Sequence, residues 1–173
     1  MKRIALISDS HSHLDDSIIA HLQDCDEVWH AGDIGNEEVI HTLESIKPVK
    51  AVYGNIDHGS IKQEYPLNHR FNFEGLDVLM THIGGYPGKY NKRVRMIFEA
   101  DPPKLFICGH SHICKVMFDK EYNFLHMNPG AIGHHGFHKV RTMLRFSVGE
   151  GLIKDLEVVE LGIRGNNIKT NMN

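Results

Sequence analysis

The sequence predicts an α/β fold in which two sheets pack face to face with helices outside. Two rhythms point to it. The first half repeats strand, polar loop and helix, whereas from Ile113 onward the chain alternates strand and turn. Size agrees, because 173 residues can bury one substantial core. No linker, repeat or low-complexity stretch divides residues 1–162, which are expected to form a single domain. The glycine-bearing polar remainder, 163–173, is expected to be a disordered tail.

Arg3 to Ser8 reads as a buried strand, and Leu14 to about Gln23 as a helix that Asp15 or Asp16 can cap. Glu27 to Ala31 is a second strand. Asn36 caps a helix running through Ile46, with Glu37 and Glu38 in its positive first turn and Pro48 beyond its end. Val49 to Tyr53 follows as a third strand. Arg70 to Phe73 and Leu76 to Thr81, separated by Glu74 and Gly75, form a hairpin pattern. Pro87 to Ala100 reads as a helix with the basic segment Lys89 to Arg95 on an exposed face, stopped by Pro102 and Pro103. Lys104 to Cys108, Lys115 to Phe118, Asn123 to Met127, Thr142 to Val148 and Leu152 to Leu161 complete the strands.

Composition narrows the function classes. Nineteen basic and 22 acidic side chains give a formal net charge of −3, so no general basic field favours nucleic acid or an anionic membrane. The apolar run Ile4 to Ile7 is too short for a signal sequence or a membrane span. Three cysteines, Cys25, Cys108 and Cys114, have no C-x-x-C spacing and argue against a disulfide framework or structural zinc; the cytoplasm is the expected compartment. Fourteen histidines are the unusual total, and their positions decide what they mean.

Each predicted strand of the α/β part runs into a small polar cluster. Asp9, His11 and His13 follow the first strand, Asp33 the second, and Asn55, Asp57 and His58 the third. His82 follows the hairpin, and His110 and His112 follow Cys108. Singly, each cluster reads as a loop satisfying its own backbone, and Asn55 as an Asx turn. Together, five strand ends offer carboxylates, imidazoles and an amide where parallel α/β sheets bind ligands. Asp, Asn and His without thiolate suit divalent Mn, Fe, Zn or Ni. Asp9, His11, Asp33, Asn55, His82, His110 and His112 exceed the four to six positions of one transition ion, and suit two ions that share a carboxylate.

The ordered set D-x-H (Asp9, His11), G-D (Gly32, Asp33), G-N (Gly54, Asn55), His82 and G-H-x-H (Gly109, His110, His112) resembles the calcineurin-like metallophosphoesterase superfamily, and the short chain resembles its small single-domain branch of YfcE-type phosphodiesterases. The similarity runs from Lys2 to about Gly133. It implies a four-layer α/β/β/α sandwich with two divalent ions, Mn being the expected metal. It also implies that Asp9, His11 and His112 hold one ion, that Asn55, His82 and His110 hold the other, and that Asp33 bridges them. A hydroxide bridging the ions is the expected nucleophile, with the ions and Asn55 stabilising charge on the phosphoryl oxygens.

One position departs from the family's common G-N-H-[DE] pattern: Ile56 stands where a histidine protonates the leaving oxygen, and isoleucine donates no proton. His13 is the expected substitute, with His58, His134, His135 and His138 as further candidates whose bland reading is a solvated loop. Asp57 is expected to orient a metal-ligand histidine by a hydrogen bond from behind. Asn128 and Gly130, in a segment resembling the family's N-P-G-S with Ala131 in place of serine, are expected to shape a turn beside the site. His21, His30, His41, His69 and His126 read as structural.

The sequence therefore leads to a phosphodiesterase acting on a small phosphodiester or nucleotide-like substrate. No nucleic acid or membrane partner is expected, and a homodimer is left open. A phosphomonoesterase, or a binding scaffold like the retromer subunit with this fold, are the alternatives.

Overall fold

A computed structural model describes residues 1–165. The first three strands, β1 (Lys2–Ile7), β2 (Glu27–His30) and β3 (Val49–Ala51), run parallel, and the chain between them forms α1 (Asp16–Leu22) and α2 (Glu37–Ile46). Asp15 caps α1 by accepting the Ile18 amide at 2.9 Å, and Asn36 caps α2 through the Val39 amide at 3.3 Å. Next come α3 (Gly59–Glu64), the hairpin β4 (Asn68–Phe73) and β5 (Leu76–Thr81), α4 (Lys92–Ala100) and β6 (Leu105–Ile107). The chain ends in β7 (Cys114–Asp119), β8 (Phe124–Pro129), β9 (Val140–Gly149) and β10 (Leu152–Ile163).

Strand β9 returns to pair antiparallel with β1, giving one five-stranded mixed sheet ordered β10-β9-β1-β2-β3. The other five-stranded sheet is ordered β4-β5-β6-β8-β7. Period-two alternation sends each strand's apolar residues to two different layers. Ile4 and Leu6 point into a core between the sheets with Val78, Met80, Ile107 and Phe146, whereas Ala5 and Ile7 point outward beneath α1 and α2. Phe106 and Cys108 face outward from the second sheet and meet Val94 and Phe98 of α4, one helical turn apart. Three apolar clusters thus separate four layers, α/β/β/α. Trp29 fastens the middle one, with edge-on contacts to Phe71, Phe73 and Phe146 at 5.1, 5.3 and 5.7 Å between centroids.

The structure corrects the sequence reading in two elements. Helix α3, with a single buried residue, Ile61, was not anticipated. Helix α4 starts at Lys92 rather than Pro87, because Gly88 is left-handed (φ 83°) and Asn91 is the residue that caps it, accepting the Val94 amide at 3.0 Å. Of the polar tail expected from residue 163, Ile163 belongs to β10, and the Arg164 amide donates to the Lys139 carbonyl at 2.9 Å. Residues 166–173 lie outside the described residues. Among the described residues no helix is long and apolar enough to cross a membrane.

Candidate metal centre

All seven proposed ligands follow the carboxyl ends of β1, β2, β3, β5 and β6, at one edge of the sandwich. Backbone hydrogen bonds weave these loops together: the Asp9 amide donates to Gly32 O at 2.9 Å, the His11 amide to Asp33 O at 3.1 Å, and the Gly109 amide to His82 O at 3.0 Å. Two glycines permit the closeness. A Cβ on Gly54 would strike the Asp33 carboxylate, and one on Gly109 would strike the Ser8 hydroxyl and lie 2.8 Å from Asp9 Oδ2. Five of the ligand residues, Asp9, His11, Asp33, His110 and His112, have left-handed backbones with φ between 45° and 69°. Such conformations cost roughly 1–3 kcal/mol each in a non-glycine residue, and survive where the surroundings impose them.

Two groups of side chains emerge. Asp9, His11 and His112 bring one ligand atom each within 4.8 Å of the others, and so do Asp33, His82 and His110. Asp9 Oδ1 lies 3.0 Å from His112 Nε2 and 3.8 Å from His82 Nε2. Asp33 faces both groups, with Oδ1 3.2 Å from His82 Nε2 and Oδ2 3.4 Å from His11 Nε2. Asn55 is exposed beside them and lines the same cavity.

The decisive feature is what these atoms lack. Asp9 Oδ1, His11 Nε2 and His82 Nε2 are buried, and each is without a partner in hydrogen-bond geometry. A buried orphan costs about 1–3 kcal/mol, and here three such atoms converge. A cation in each group would satisfy them, Asp9 and His11 in one and His82 in the other, so the donor set fits metal. The opposite edges of Asp9 and His82 are bound. Asp9 Oδ2 accepts from the Ser8 hydroxyl at 2.6 Å and the His110 amide at 3.1 Å. His82 Nδ1 lies 2.7 Å from the Ala31 carbonyl, which requires its proton there and leaves Nε2 as a bare acceptor.

His112 is set by a relay. His138 Nε2 lies 3.0 Å from the Gly133 carbonyl and must donate to it. His138 Nδ1 is then an acceptor, and His112 Nδ1, 3.2 Å away, donates to it, which turns the lone pair of His112 Nε2 toward Asp9. Sequence reasoning left His138 among solvated loop histidines. Nothing in the spacing signals it, since the contact crosses 26 residues.

Electrostatics follows burial and neighbours. Burial lowers the pKa of His11 and His110 from the ordinary histidine value. At His82 burial works the same way, but Asp33 and Asp9 outweigh it and the pKa rises. Burial alone would raise the Asp33 carboxyl; His82, the Ile56 amide and His11 hold it below the usual carboxylate range.

Two sequence expectations are corrected. The structure does not bring His13 to the cavity: its Nε2 lies 2.8 Å from Asp15 Oδ2, its ring stands edge-on against His134 at 4.4 Å, and the Arg141 guanidinium sits 3.1 Å from the same Asp15 oxygen. Asp15 must cap α1, and it draws His13 with it. His13, Asp15 and His134 form a cluster of ligand types, but Arg141 already supplies the cation. Asp57 orients no histidine. Its buried carboxylate accepts the backbone amides of Ile34 at 3.1 Å, Gly35 at 2.8 Å and Gly54 at 2.7 Å, clamping two ligand loops together. Asn128 does shape a turn, accepting the Gly130 amide at 3.0 Å while its amide donates to Gly109 O at 2.9 Å.

A cavity of about 260 Å³ opens over the centre, with Asn55, Ile56, His110, His135 and Phe137 on its walls. The His135 ring lies against His11 at 4.6 Å, and Phe137 is fully exposed at the mouth.

Two sheets converging their strand ends on orphaned carboxylate and imidazole atoms define a protein with a candidate metal centre. The calcineurin-like phosphoesterase superfamily domain matches residues 1–151, and the chain belongs to that superfamily. It is 28% identical over 134 residues to a probable metallophosphoesterase of Methanothermobacter thermautotrophicus, covering 74% of this chain and 76% of that one. Its fold is similar to that of an archaeal phosphodiesterase (TM-score 0.72, 22% identity, covering 92% of this chain and 99% of that one). It is also similar in fold to wild-type Vps29 complexed with zinc from Entamoeba histolytica (TM-score 0.68, 15% identity, covering 91% and 98%).

Proposed function

We propose that this protein is a dinuclear metal-dependent phosphodiesterase acting on small phosphodiester or nucleotide-like substrates. The observation that carries the reading is the convergence of the orphaned Asp9 Oδ1, His11 Nε2 and His82 Nε2. Asp9, His11 and His112 would hold one ion, His82 and His110 with the neighbouring Asn55 the other, and Asp33, whose two oxygens face His82 and His11, would serve both. Two divalent ions, Mn first among Mn, Fe, Zn and Ni, supply Lewis-acid charge and a water acidified toward neutral pH.

The protein's own residues do the rest. The Ser8, Ala31 and His138 contacts hold Asp9, His82 and His112 in fixed orientations. The Asn55 amide, exposed to the cavity, donates to a phosphoryl oxygen. Ile56 and Phe137 give the mouth apolar walls and provide no proton. The lack of an acid at position 56 favours diesters with good leaving groups, and the fold shared with an archaeal phosphodiesterase supports the diester over the monoester.

The test is hydrolysis of bis(p-nitrophenyl) phosphate by Mn-loaded protein, alongside a monoester control. Diester turnover should exceed monoester turnover. Asp33→Asn should lower turnover by about a hundredfold or more and reduce bound metal by elemental analysis. No activity with any divalent metal would sink the reading. The rival, a non-catalytic interaction scaffold, predicts protein that purifies without a stoichiometric pair of ions.

A further inference from the structure

A second cavity, of about 220 Å³, adjoins the metal centre on the outer face of the β4–β8 sheet. Ser111, the residue between His110 and His112, lines both cavities, so the second begins one residue from the ligands. Its walls are Tyr86, from the loop between β5 and α4, Ile113 and Lys115 at the start of β7, and His126 and Asn128 on β8.

The unusual member is His126. It is 1% exposed, yet neither Nδ1 nor Nε2 has a hydrogen-bond partner. Its neighbours on the other side, Tyr90 and Phe106, offer only ring contacts, with centroids 6.0 and 5.8 Å away. An imidazole with both nitrogens idle is a poor choice for a core already rich in phenylalanine, unless something in the cavity uses them. Burial, and after it Lys115, pushes its pKa down to about 4, so near neutral pH it presents one donor and one acceptor. Ser111 adds another donor: its oxygen accepts from Asn128 Nδ2 at 3.2 Å and from the Ile113 amide at 3.3 Å, leaving the hydroxyl proton free. Lys115 Nζ stands 4.7 Å over the Tyr86 ring, and no carboxylate among the described residues forms an ion pair with it.

These groups select among ligand chemistries. Lys115 covers one face of the Tyr86 ring. An apolar group would leave His126 unpaired. Hydroxyl groups, each both donor and acceptor, match the neutral imidazole, the Ser111 hydroxyl and the Lys115 ammonium. The cavity is smaller than the roughly 300–1,000 Å³ of pockets that enclose drug-sized ligands, and so takes one ring-sized fragment.

The geometry points to a sugar subsite: His126, Ser111 and Lys115 bind the polyhydroxylated portion of a phosphoester whose phosphate sits at the metal centre. The inference rests on the phosphoesterase reading and names its substrate class. Calorimetric titration of Mn-loaded protein with inorganic phosphate and with ribose 5-phosphate tests it. Ribose 5-phosphate should bind about tenfold tighter than phosphate. His126→Phe, which suits the aromatic surroundings, and Lys115→Ala should each remove most of that advantage and leave phosphate affinity within about twofold. An advantage that survives both substitutions, or none in the parent protein, overturns the subsite and leaves the phosphoesterase standing. A parent protein that binds no phosphate and cleaves no diester overturns the underlying reading, and the subsite with it.

Discussion

The residue with the sharpest chemical consequence is Ile56. Its amide donates to Asp33 Oδ1 at 3.1 Å, so the backbone there serves the metal centre while the side chain lies on the cavity wall with no proton to give. Ile56→His should therefore raise kcat for esters with basic leaving groups by about a hundredfold, and change aryl diesters little. Steady-state rates across a series of leaving-group pKa values check this, and an unchanged slope would refute it. At this scale the candidate cluster was legible in the sequence because each member sits in a short motif next to a strand end, and the fold brings Asp9, His11, Asp33, His82, His110 and His112 into two groups. His138 and Asp57 were not, because their roles depend on which atoms the fold brings opposite them, a carbonyl for one and three amides for the other. His13 was misread for a like reason: Asp15 lies two residues on, and only the α1 cap reveals where it points.

Among the elements, the loops after β2 and β3 behave as one unit because Asp57 joins them. Replacing one carboxylate oxygen by an NH2 group would leave at least one of the amides of Ile34, Gly35 and Gly54 without its acceptor. Asp57→Asn should destabilise the fold by about 3 kcal/mol in denaturant unfolding, since hydrogen bonds to a charged acceptor are worth about 1.5–3 kcal/mol each and partial re-pairing is expected. A loss below about 0.5 kcal/mol would show that the clamp carries no load. Strands and long helices were legible through alternation and caps, as with Asn36 and α2. Helix α3 was not, because six residues opening on glycine, with one buried side chain and no side-chain cap, present no periodicity. The start of α4 was misplaced because Pro87 imitates a first helical residue, whereas Asn91 holds the cap.

At the scale of the whole molecule, buried neutral histidines set the acid limit of the fold. His126, facing Lys115 and Asp119 of β7 and Tyr90 of the loop before α4, titrates near 4 when folded, against an ordinary value near 6.5. Between those values the unfolded chain binds a proton that the folded chain refuses, so stability falls as pH drops through this window and levels off below 4. The loss attributable to His126 is about 3 kcal/mol. His126→Phe should flatten the stability profile between pH 6.5 and 4 by about that amount, measured as urea midpoints across pH; a parallel shift without flattening would exclude the linkage.

The pairing of β1 with β9 has a consequence in time. Lys2 lies opposite Val148 and Leu6 opposite Leu144, so the strand that delivers Asp9 finds one of its two neighbours some 140 residues downstream. During synthesis a chain that has emerged only as far as residue 139 already carries all seven proposed ligand residues, and His138 behind them, yet leaves that flank of β1 bare. The ligands are thus complete before their scaffold is, and the order of emergence separates possession of the metal-binding residues from the architecture that aims them.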